Sequence, residues 1–187
     1  MFFYYKYVDW LEVILYIFIM ESPKISKQPI FYDNRGSFIP IPIKEDWIQS
    51  NISFNDNVYT LRGLHLQEAP KRQSKQITVL KGKIVDIIVG LVGDELGKVY
   101  YYEMEEGDSL YVPKGFAHGF LTLKKNTVIN YFVDEIYSVE HEKSIFWGSH
   151  KEVSKVVEDY LGDNRLTINQ KDNQSLDFDE YIKSLKK

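Results

Sequence analysis

From Phe31 onward, apolar and polar residues alternate in short runs that are separated by turn residues, and this pattern predicts β-strands. The runs that fit a strand are NVYTLRGLHLQ, SKQITVL, IVDIIVGL, KVYYYEM, DSLYVP, GFLTLKK and TVINYFVDEIY. We expect the second and third runs to form a hairpin around a KGK turn, the next two to pair around EEGD, and the last two around Lys124 to Asn126. So many short strands at close spacing indicate an all-β sandwich or a barrel of jelly-roll type.

Segments before and after these strands show helical or proline-containing patterns. The segment HKEVSKVVEDYLG has apolar residues at helical spacing and reaches Gly162, which favours a helix that stops there. We expect a last helix from Phe178 to the lysine-rich end and one helical turn in KEDWIQSN. The run FIPIPI contains Pro40 and Pro42, so it can only be an edge strand or an extended arm, and such arms often pair with a neighbouring subunit.

The first 19 residues are rich in apolar side chains, but Lys6, Asp9 and Glu12 interrupt the run. The apolar stretch after Asp9 is shorter than the roughly 20 residues that span a bilayer, and the residues after Met20 make a poor secretory cleavage site. We therefore expect residues 1–19 to be a dispensable extension, with an amphipathic membrane-surface anchor as the alternative. Residues 20–187 are expected to form a single domain, since that length suffices for one stable core.

The composition narrows the classes of function. The chain has no cysteine, which excludes disulfides, thiolate nucleophiles and thiolate metal sites and fits a reducing cytoplasm. Its net charge of −4 and its isoelectric point near 5.6 argue against a nucleic-acid-binding surface. We therefore expect a cytoplasmic protein with neither a nucleic-acid partner nor a membrane partner.

Two turn-and-strand motifs each carry a histidine: LRGLHLQ carries His65, and GDSLYVPKGFAHGF carries His118. In the first motif Leu64 and Leu66 flank His65, so the imidazole should point to the face opposite the two leucines. A metal-binding barrel would need three or four imidazole and carboxylate ligands, but Gln67 stands where a second histidine would follow. A tight metal site is therefore not expected.

A lone histidine in a strand more often satisfies buried backbone groups than performs chemistry. Here, however, several cationic groups fall at strand positions that can face one cavity: Arg62, His65, Lys75 and His118. Gathering so many cationic groups is unfavourable unless an anion binds among them. Without a metal, a histidine at the mouth of such a cavity can transfer protons near neutral pH.

Several segments occur in an informative order: YDNRGSF, IQSN, LRGLHLQ, QSKQ, IVDIIV, VPKGFAHGF, INYFVDEIY, SIFWG and NQKD. In this order they closely resemble the dTDP-4-dehydrorhamnose 3,5-epimerases, which are metal-free cupin-fold enzymes of nucleotide-sugar biosynthesis. The resemblance extends from Phe31 to Asp172 and does not include the first 19 residues. It implies an all-β, cupin-type jelly-roll barrel with short flanking C-terminal helices, no cofactor, and a homodimer with exchanged N-terminal strands.

The substrate implied by the resemblance is a nucleoside-diphosphate 4-keto-6-deoxyhexose, in which the C4 carbonyl acidifies the hydrogens at C3 and C5. Epimerisation requires a base on one ring face, an acid on the other, and a group that holds the enolate oxygen. The resemblance implies His65 as the base, with Asp172 orienting its imidazole, and Tyr131 as the acid. It implies Lys75 as the ammonium that stabilises the C4 oxyanion, with His118 nearby.

The resemblance also implies the residues that hold the rest of the substrate. Those expected at the diphosphate are Arg35, Arg62 and Lys171. Those expected at the nucleoside are Phe31, Gln49 and Asn51.

The chain departs from the family pattern at Pro40, where a glutamate usually contacts the nucleotide, and at Gly148 and Ser149, which replace an Asn-Asp pair. Several alternatives stay open. Within the enzyme class, one alternative is an epimerase that acts only at C3 or only at C5, and another is an epimerase of a UDP- or GDP-linked sugar. Outside this class, the alternatives are a barrel that binds a sugar nucleotide without turnover and a metal-dependent cupin. Gln67 argues against the metal-dependent cupin.

Overall fold

The computed structural model describes residues 21–33, 36–41 and 44–185, and most of these residues lie in strands and the turns between them. In chain order the described strands are β1 (Lys24–Lys27), β2 (Phe31–Asp33), β3 (Gly36–Phe38), β4 (Gln49–Asn55), β5 (Leu61–Gln67), β6 (Lys75–Lys81), β7 (Lys83–Gly90), β8 (Val99–Glu105), β9 (Asp108–Val112), β10 (Phe116–Thr122), β11 (Thr127–Val133) and β12 (Glu142–Ser144). The α-helices are α1 (Lys151–Leu161), α2 (Gln170–Asn173) and α3 (Phe178–Ser184). Short 3-10 turns occur at Gly93–Glu95 and Trp147–Ser149.

Ten strands form two antiparallel sheets that face each other. The first sheet has the order β1-β9-β6-β11-β4, and the second has the order β12-β5-β10-β7-β8. Strands β2 and β3 form a separate two-stranded sheet. The prediction of an all-β, cupin-type jelly roll with short helices toward the C-terminus is confirmed.

The predicted hairpins are wrong. Strands β6 and β7, β8 and β9, and β10 and β11 are neighbours in sequence, but in each pair the two strands belong to opposite sheets. The KGK turn, the turn near Gly107 and the turn before Thr127 therefore carry the chain from one sheet to the other. A hairpin and a sheet-to-sheet corner use the same turn residues, so the turn sequence alone does not distinguish them.

The strand runs bury two layers of apolar side chains. Between the sheets lie Ile77, Val79, Ile84, Ile88, Met104, Leu110, Val112, Phe116, Phe120 and Ile129. The outer face of the second sheet is covered by α1 and α3, and this layer includes Leu64, Leu66, Val85, Ile87, Val89, Val153, Val157 and Tyr181. Strand β7 is buried on both faces, which explains its nearly continuous apolar sequence.

The predicted helices are confirmed at α1, which reaches its C-cap at Gly162, and at α3. The KEDWIQSN prediction is wrong in its second half. Lys44 C=O accepts from Trp47 N–H in a single turn, but β4 begins at Gln49 and pairs with β11 along its whole length. In the FIPIPI run, Phe38 ends β3, residues 39–41 have no regular structure, and Pro42 lies outside the described residues.

Candidate active site

His65 and His118 lie opposite each other on neighbouring strands β5 and β10 of the second sheet. Leu64 and Leu66 are buried against the outer helices, whereas the His65 side chain lines the interior between the sheets and is 33% exposed. This is the orientation that the alternation of LRGLHLQ predicts.

An irregularity in β5 brings Arg62 to the same cavity as His65. His118 is registered with His65, and Phe120 with Arg62, so two steps along β10 match three steps along β5. The extra residue in β5 turns Arg62 to the side that His65 faces, as a β-bulge does. Gly63 makes the close approach possible, because a Cβ there would lie 2.6 Å from Gly119 Cα.

Two adjoining cavities occupy the interior and its mouth. The first has a volume of about 340 Å³ and is lined by Ile52, Ser53, Phe54, Arg62, His65, Lys75, Ile77, His118, Phe120, Ile129 and Tyr131. The second has a volume of about 330 Å³ and is lined by Gln49, Asn51, His65, Leu66, Gln67, Gln73, Lys75, Tyr131, Val133, Tyr137 and Glu142. Each lies within the size range of small-molecule sites. His65, Lys75 and Tyr131 line both, so they stand where the two cavities meet.

Asp172 is paired with His65. Its Oδ1 lies 2.8 Å from His65 Nε2, and its Oδ2 accepts a hydrogen bond from Gly63 N–H at 3.1 Å. Helix α2 places this carboxylate, since the N-cap Asn169 accepts from Asp172 N–H. Burial would raise the pKa of Asp172, but the hydrogen bond and charge of His65 and the Gly63 N–H outweigh it and lower the pKa. The pair leaves Nδ1 of His65 as the nitrogen that can accept a proton.

A second carboxylate–imidazole pair includes His118, which lines the first cavity, and its carboxylate was missed in the sequence. Asp86 is fully buried in β7, and its Oδ2 lies 2.8 Å from His118 Nε2. Burial raises the pKa of Asp86, although His118 and Lys75 act in the opposite direction. The available signal was the charged residue in the apolar run IVDIIV, because buried carboxylates are rare unless paired.

Lys75 lies on β6 of the first sheet and is 9% exposed. Its Nζ donates to the backbone oxygen of His65 at 3.4 Å. Burial lowers the pKa of Lys75 to about 8, even though Asp86 and Glu142 favour the charged form. A lysine in this state carries a positive charge at neutral pH and can stabilise an oxyanion.

Arg62 and Tyr131 complete the first cavity from opposite sheets. Arg62 Nε donates to Oδ1 of the buried Asn55 at 2.8 Å, which fixes the plane of the guanidinium. Burial raises the pKa of Tyr131, against the effect of the Arg62 charge. The phenol therefore remains a proton donor at neutral pH.

The second cavity contains a polar cluster at its mouth. Gln49 Nε2 donates to Asn51 Oδ1 at 2.8 Å. Glu142 accepts hydrogen bonds from Tyr137 Oη at 2.7 Å and from Lys171 Nζ. Burial would raise the pKa of Glu142, but these two partners and the His65 charge lower it. The contributions of Tyr137 and Glu142 were missed: Tyr137 ends the predicted run TVINYFVDEIY but lies beyond β11, which stops at Val133, and Glu142 follows in a polar segment with no recognised pattern.

The predicted residues are not all brought to the cavities. Lys171 reaches the second cavity only through Glu142, and its side chain is 58% exposed. Phe31 is 58% exposed on β2 and lines neither cavity. Arg35 lies outside the described residues, so its predicted diphosphate contact remains a prediction.

Within the described parts of the chain, no three His, Asp or Glu side chains are grouped as a metal site. The amide of Gln67, at the position where a metal-binding barrel would place a ligand, instead forms hydrogen bonds with backbone groups of two loops.

Comparison with known proteins decides which family has this site. The family model for dTDP-4-dehydrorhamnose 3,5-epimerase matches residues 22–180. The chain belongs to this family. Members of the dTDP-4-dehydrorhamnose 3,5-epimerase family are isomerases, and a Sinorhizobium fredii member is 38% identical over 138 residues, which cover 66% of this chain and 70% of the relative.

Solved structures of the epimerase family agree with the fold. The Bacillus anthracis enzyme, crystallised with TDP and pyrophosphate, is 32% identical with a TM-score of 0.69, covering 82% of this chain and 92% of that one. The Legionella pneumophila enzyme, in complex with dTDP-4-keto-L-rhamnose, is 26% identical with a TM-score of 0.71, covering 84% and 88%. None of the helices in the described residues has the length and apolar character needed to cross a membrane.

Proposed function

We propose that the protein epimerises a nucleoside-diphosphate 4-keto-6-deoxyhexose at C3 and C5, converting dTDP-4-dehydro-6-deoxy-D-glucose to dTDP-4-dehydro-L-rhamnose. One observation carries the proposal. His65 with its Asp172 partner enters the first cavity from the second sheet, and Tyr131 enters it from the first sheet. A base and an acid on opposite walls are what inversion at a carbon requires.

In the proposed reaction, His65 removes a proton from the carbon beside the C4 ketone. The electron pair moves to the C4 oxygen and forms an enolate, whose negative charge the Lys75 ammonium stabilises, with His118 nearby. Tyr131 then donates its phenolic proton to the opposite face of the same carbon, and the carbonyl re-forms. Solvent restores the proton of Tyr131 and removes the proton from His65, so no electrons are gained or lost and no cofactor is required.

The two cavities suggest how the substrate lies. The hexose occupies the first cavity, and the nucleoside occupies the second, where Gln49, Asn51 and Tyr137 supply polar and aromatic contacts. The diphosphate joins these two parts, so it lies where the cavities meet, and Arg62, whose Nε is bonded to Asn55, directs its two Nη groups toward it from the first cavity.

We also propose a homodimer with exchanged N-terminal strands. Strands β2 and β3 form a sheet of their own, apart from the two large sheets. Strand β4 is an edge of the first sheet, and its side chains Ile52 and Phe54 are 55% and 68% exposed beside the first cavity. An apolar edge of this kind is normally covered. A second copy would cover it and would bring Phe31 and Arg35 to the nucleotide.

The absence of cysteine supports a cytoplasmic location, since that composition fits a reducing compartment.

The decisive experiment is incubation with dTDP-4-keto-6-deoxyglucose in heavy water, with exchange at C3 and C5 followed by NMR. Exchange at both carbons supports the proposal, and exchange at one carbon supports a single-site epimerase. Tight dTDP binding without exchange would make the protein a non-catalytic binder.

Two substitutions test the assigned roles in the same assay. His65→Ala should abolish exchange at both carbons while dTDP binding is retained. Tyr131→Phe should allow some exchange but impair inversion, because only the second proton transfer is lost. Tyr160→Phe is the matched control, since its hydroxyl bonds Glu103 on the outer surface. Full activity in either of the first two variants would refute the assigned roles.

A further inference from the structure

Gln67 is the next interior residue after His65 on β5, and its buried amide is fully engaged with loop backbone. It is 6% exposed. Its Nε2 donates to Lys71 O at 2.6 Å and to Ile136 O at 3.3 Å, and its Oε1 accepts from Ser138 N–H at 2.6 Å. The Gln67 side chain thus forms hydrogen bonds with the residues on both sides of Tyr137.

The loop that contains residues 136–138 has few buried apolar side chains. It joins β11 to β12, and its apolar side chains Ile136, Tyr137 and Val139 are 60%, 51% and 73% exposed. Exposed loop segments with few buried contacts open at low free energy. The middle of this loop is therefore held by polar contacts: those to Gln67, and the hydrogen bonds of Ser138 with His141 and Glu142.

The start of the same loop is anchored independently. Asp134 accepts from Ser74 N–H and Oγ and pairs with Lys114, and Glu135 O accepts from Gln73 Nε2 at 2.6 Å. Loss of Gln67 would consequently loosen residues 136–138 from β5 without detaching the loop from the sheet.

Tyr137 links this segment to the second cavity. It lines the cavity, its hydroxyl donates to Glu142 at 2.7 Å, and its backbone N–H donates to Gln49 Oε1 at 3.5 Å. We propose that Gln67 is a positioning residue for the nucleotide end of the substrate: it holds residues 136–138 so that Tyr137 stands over the second cavity. What that cavity binds rests on the proposed function.

The physical part of this inference is tested in the free protein, by hydrogen exchange of the Ser138 amide. Gln67→Met keeps the length of the side chain but removes the acceptor, so exchange at Ser138 should become at least about tenfold faster. Amides of β7 should be unaffected. Unchanged exchange at Ser138 in Gln67→Met would overturn the inference, whether or not the protein is an epimerase.

The functional part is tested by steady-state kinetics. Gln67→Met should raise KM about tenfold and change kcat by less than about twofold, because His65 and Tyr131 are held by strands. In a Tyr137→Ala background the same substitution should change KM no further, since it acts through Tyr137. Gln174→Met, at an exposed glutamine, is the control and should match the wild type.

An effect of Gln67→Met on kcat alone, or a KM effect that persists in Tyr137→Ala, would contradict the positioning role. If the wild-type protein neither turns over the sugar nor binds dTDP, the proposed function fails instead, and the Ser138 exchange still decides the role of Gln67.

Discussion

The two carboxylate–imidazole pairs of the site differ in their electrostatics. Asp172 accepts a backbone hydrogen bond as well as His65, and its pKa is lowered, so it stays ionised. Asp86 is fully buried, its pKa is raised, and its Oδ1 has no hydrogen-bond partner in the described residues. An ionised partner favours the imidazolium that a general base becomes, which suits His65 to proton abstraction.

The lowered pKa of Lys75 predicts an alkaline limit to catalysis. As pH rises through about 8, Lys75 loses its proton and with it the proposed stabilisation of the C4 oxyanion, so kcat/KM should fall. The measurement is kcat/KM for solvent exchange between pH 6 and 10. Lys75→Arg keeps its charge over this range, so its profile should lack the decline near pH 8 even if its rate is lower. A wild-type profile that is flat through pH 8 contradicts this assignment.

Unfolding would not explain that decline. The pKa of Lys75 is lower in the folded protein than the ordinary value of 10.5, so between about 8 and 10.5 the folded state binds fewer protons. The contribution of Lys75 to the free energy of unfolding therefore increases with pH in the window where activity decreases.

For single residues, the sequence predicts which way a side chain points better than which other side chain it will contact. Alternation alone indicates that His65 faces inward between Leu64 and Leu66. Asp86 lies among buried apolar residues, and nothing local shows that the imidazole of His118, some thirty residues later, will be beside it. Such pairs are set by which strands become neighbours, and this depends on the whole fold.

At the scale of elements, the strands β5 to β11 and the helices α1 and α3 follow from their patterns, but the connections between strands do not. Strand β7 is buried on both faces, because α1 and α3 cover the side away from the cavity. The nearly continuous apolar sequence that accompanies this burial is the sequence feature that indicates a central strand rather than one strand of a hairpin. Strand β4 was not predicted, since five of its seven residues are polar and its two apolar side chains, Ile52 and Phe54, are exposed.

The close approach of the paired strands β5 and β10 at Gly63 predicts a severe effect of Gly63→Ala. Gly63 has φ of 114°, and an added Cβ would lie 2.6 Å from Gly119 Cα and 2.7 Å from His118 O. We expect a loss of about 2–5 kcal/mol in the free energy of unfolding, measured with urea, together with loss of exchange activity.

Gly162→Ala separates backbone strain from steric clash. Gly162 also has positive φ, but a Cβ there would meet nothing within 4 Å. Its substitution should reduce stability by only about 1 kcal/mol and leave activity unchanged. Equal effects of the two substitutions would mean that the contact between the strands is unimportant.

At the scale of the whole molecule, the proposed dimer predicts that Ile48→Asp produces a monomer. Ile48 is 55% exposed just before β4 and lines neither cavity. A charge there should prevent a second copy from covering this edge, and analytical ultracentrifugation would detect the change. The monomer should also have a higher KM, because Phe31 and Arg35 would no longer reach a neighbouring site.

Leu96→Asp provides the comparison for this experiment. Leu96 is 45% exposed beside the 3-10 turn at Gly93–Glu95, remote from β4. This variant should remain dimeric. A dimeric Ile48→Asp protein would show that the subunits meet elsewhere.

Removal of residues 1–19 should leave solubility and exchange rates unchanged. Those residues lie outside the described part of the chain, and among the described residues both apolar layers and both cavities are formed from Gln49 onward. Gel filtration and the NMR exchange assay compare the shortened protein with the full chain. An insoluble or inactive product would assign the segment a necessary role.

The meeting of the two cavities at His65, Lys75 and Tyr131 has an evolutionary consequence. The groups that we propose for proton transfer and oxyanion stabilisation lie where the cavities meet, while the walls on either side are formed largely by separate residues. With the substrate bound as proposed, a lineage would exchange one heterocycle for another, or one deoxysugar for another, by mutating the residues of a single cavity. The reaction itself is inherited unchanged, which allows one scaffold to diversify its repertoire stepwise.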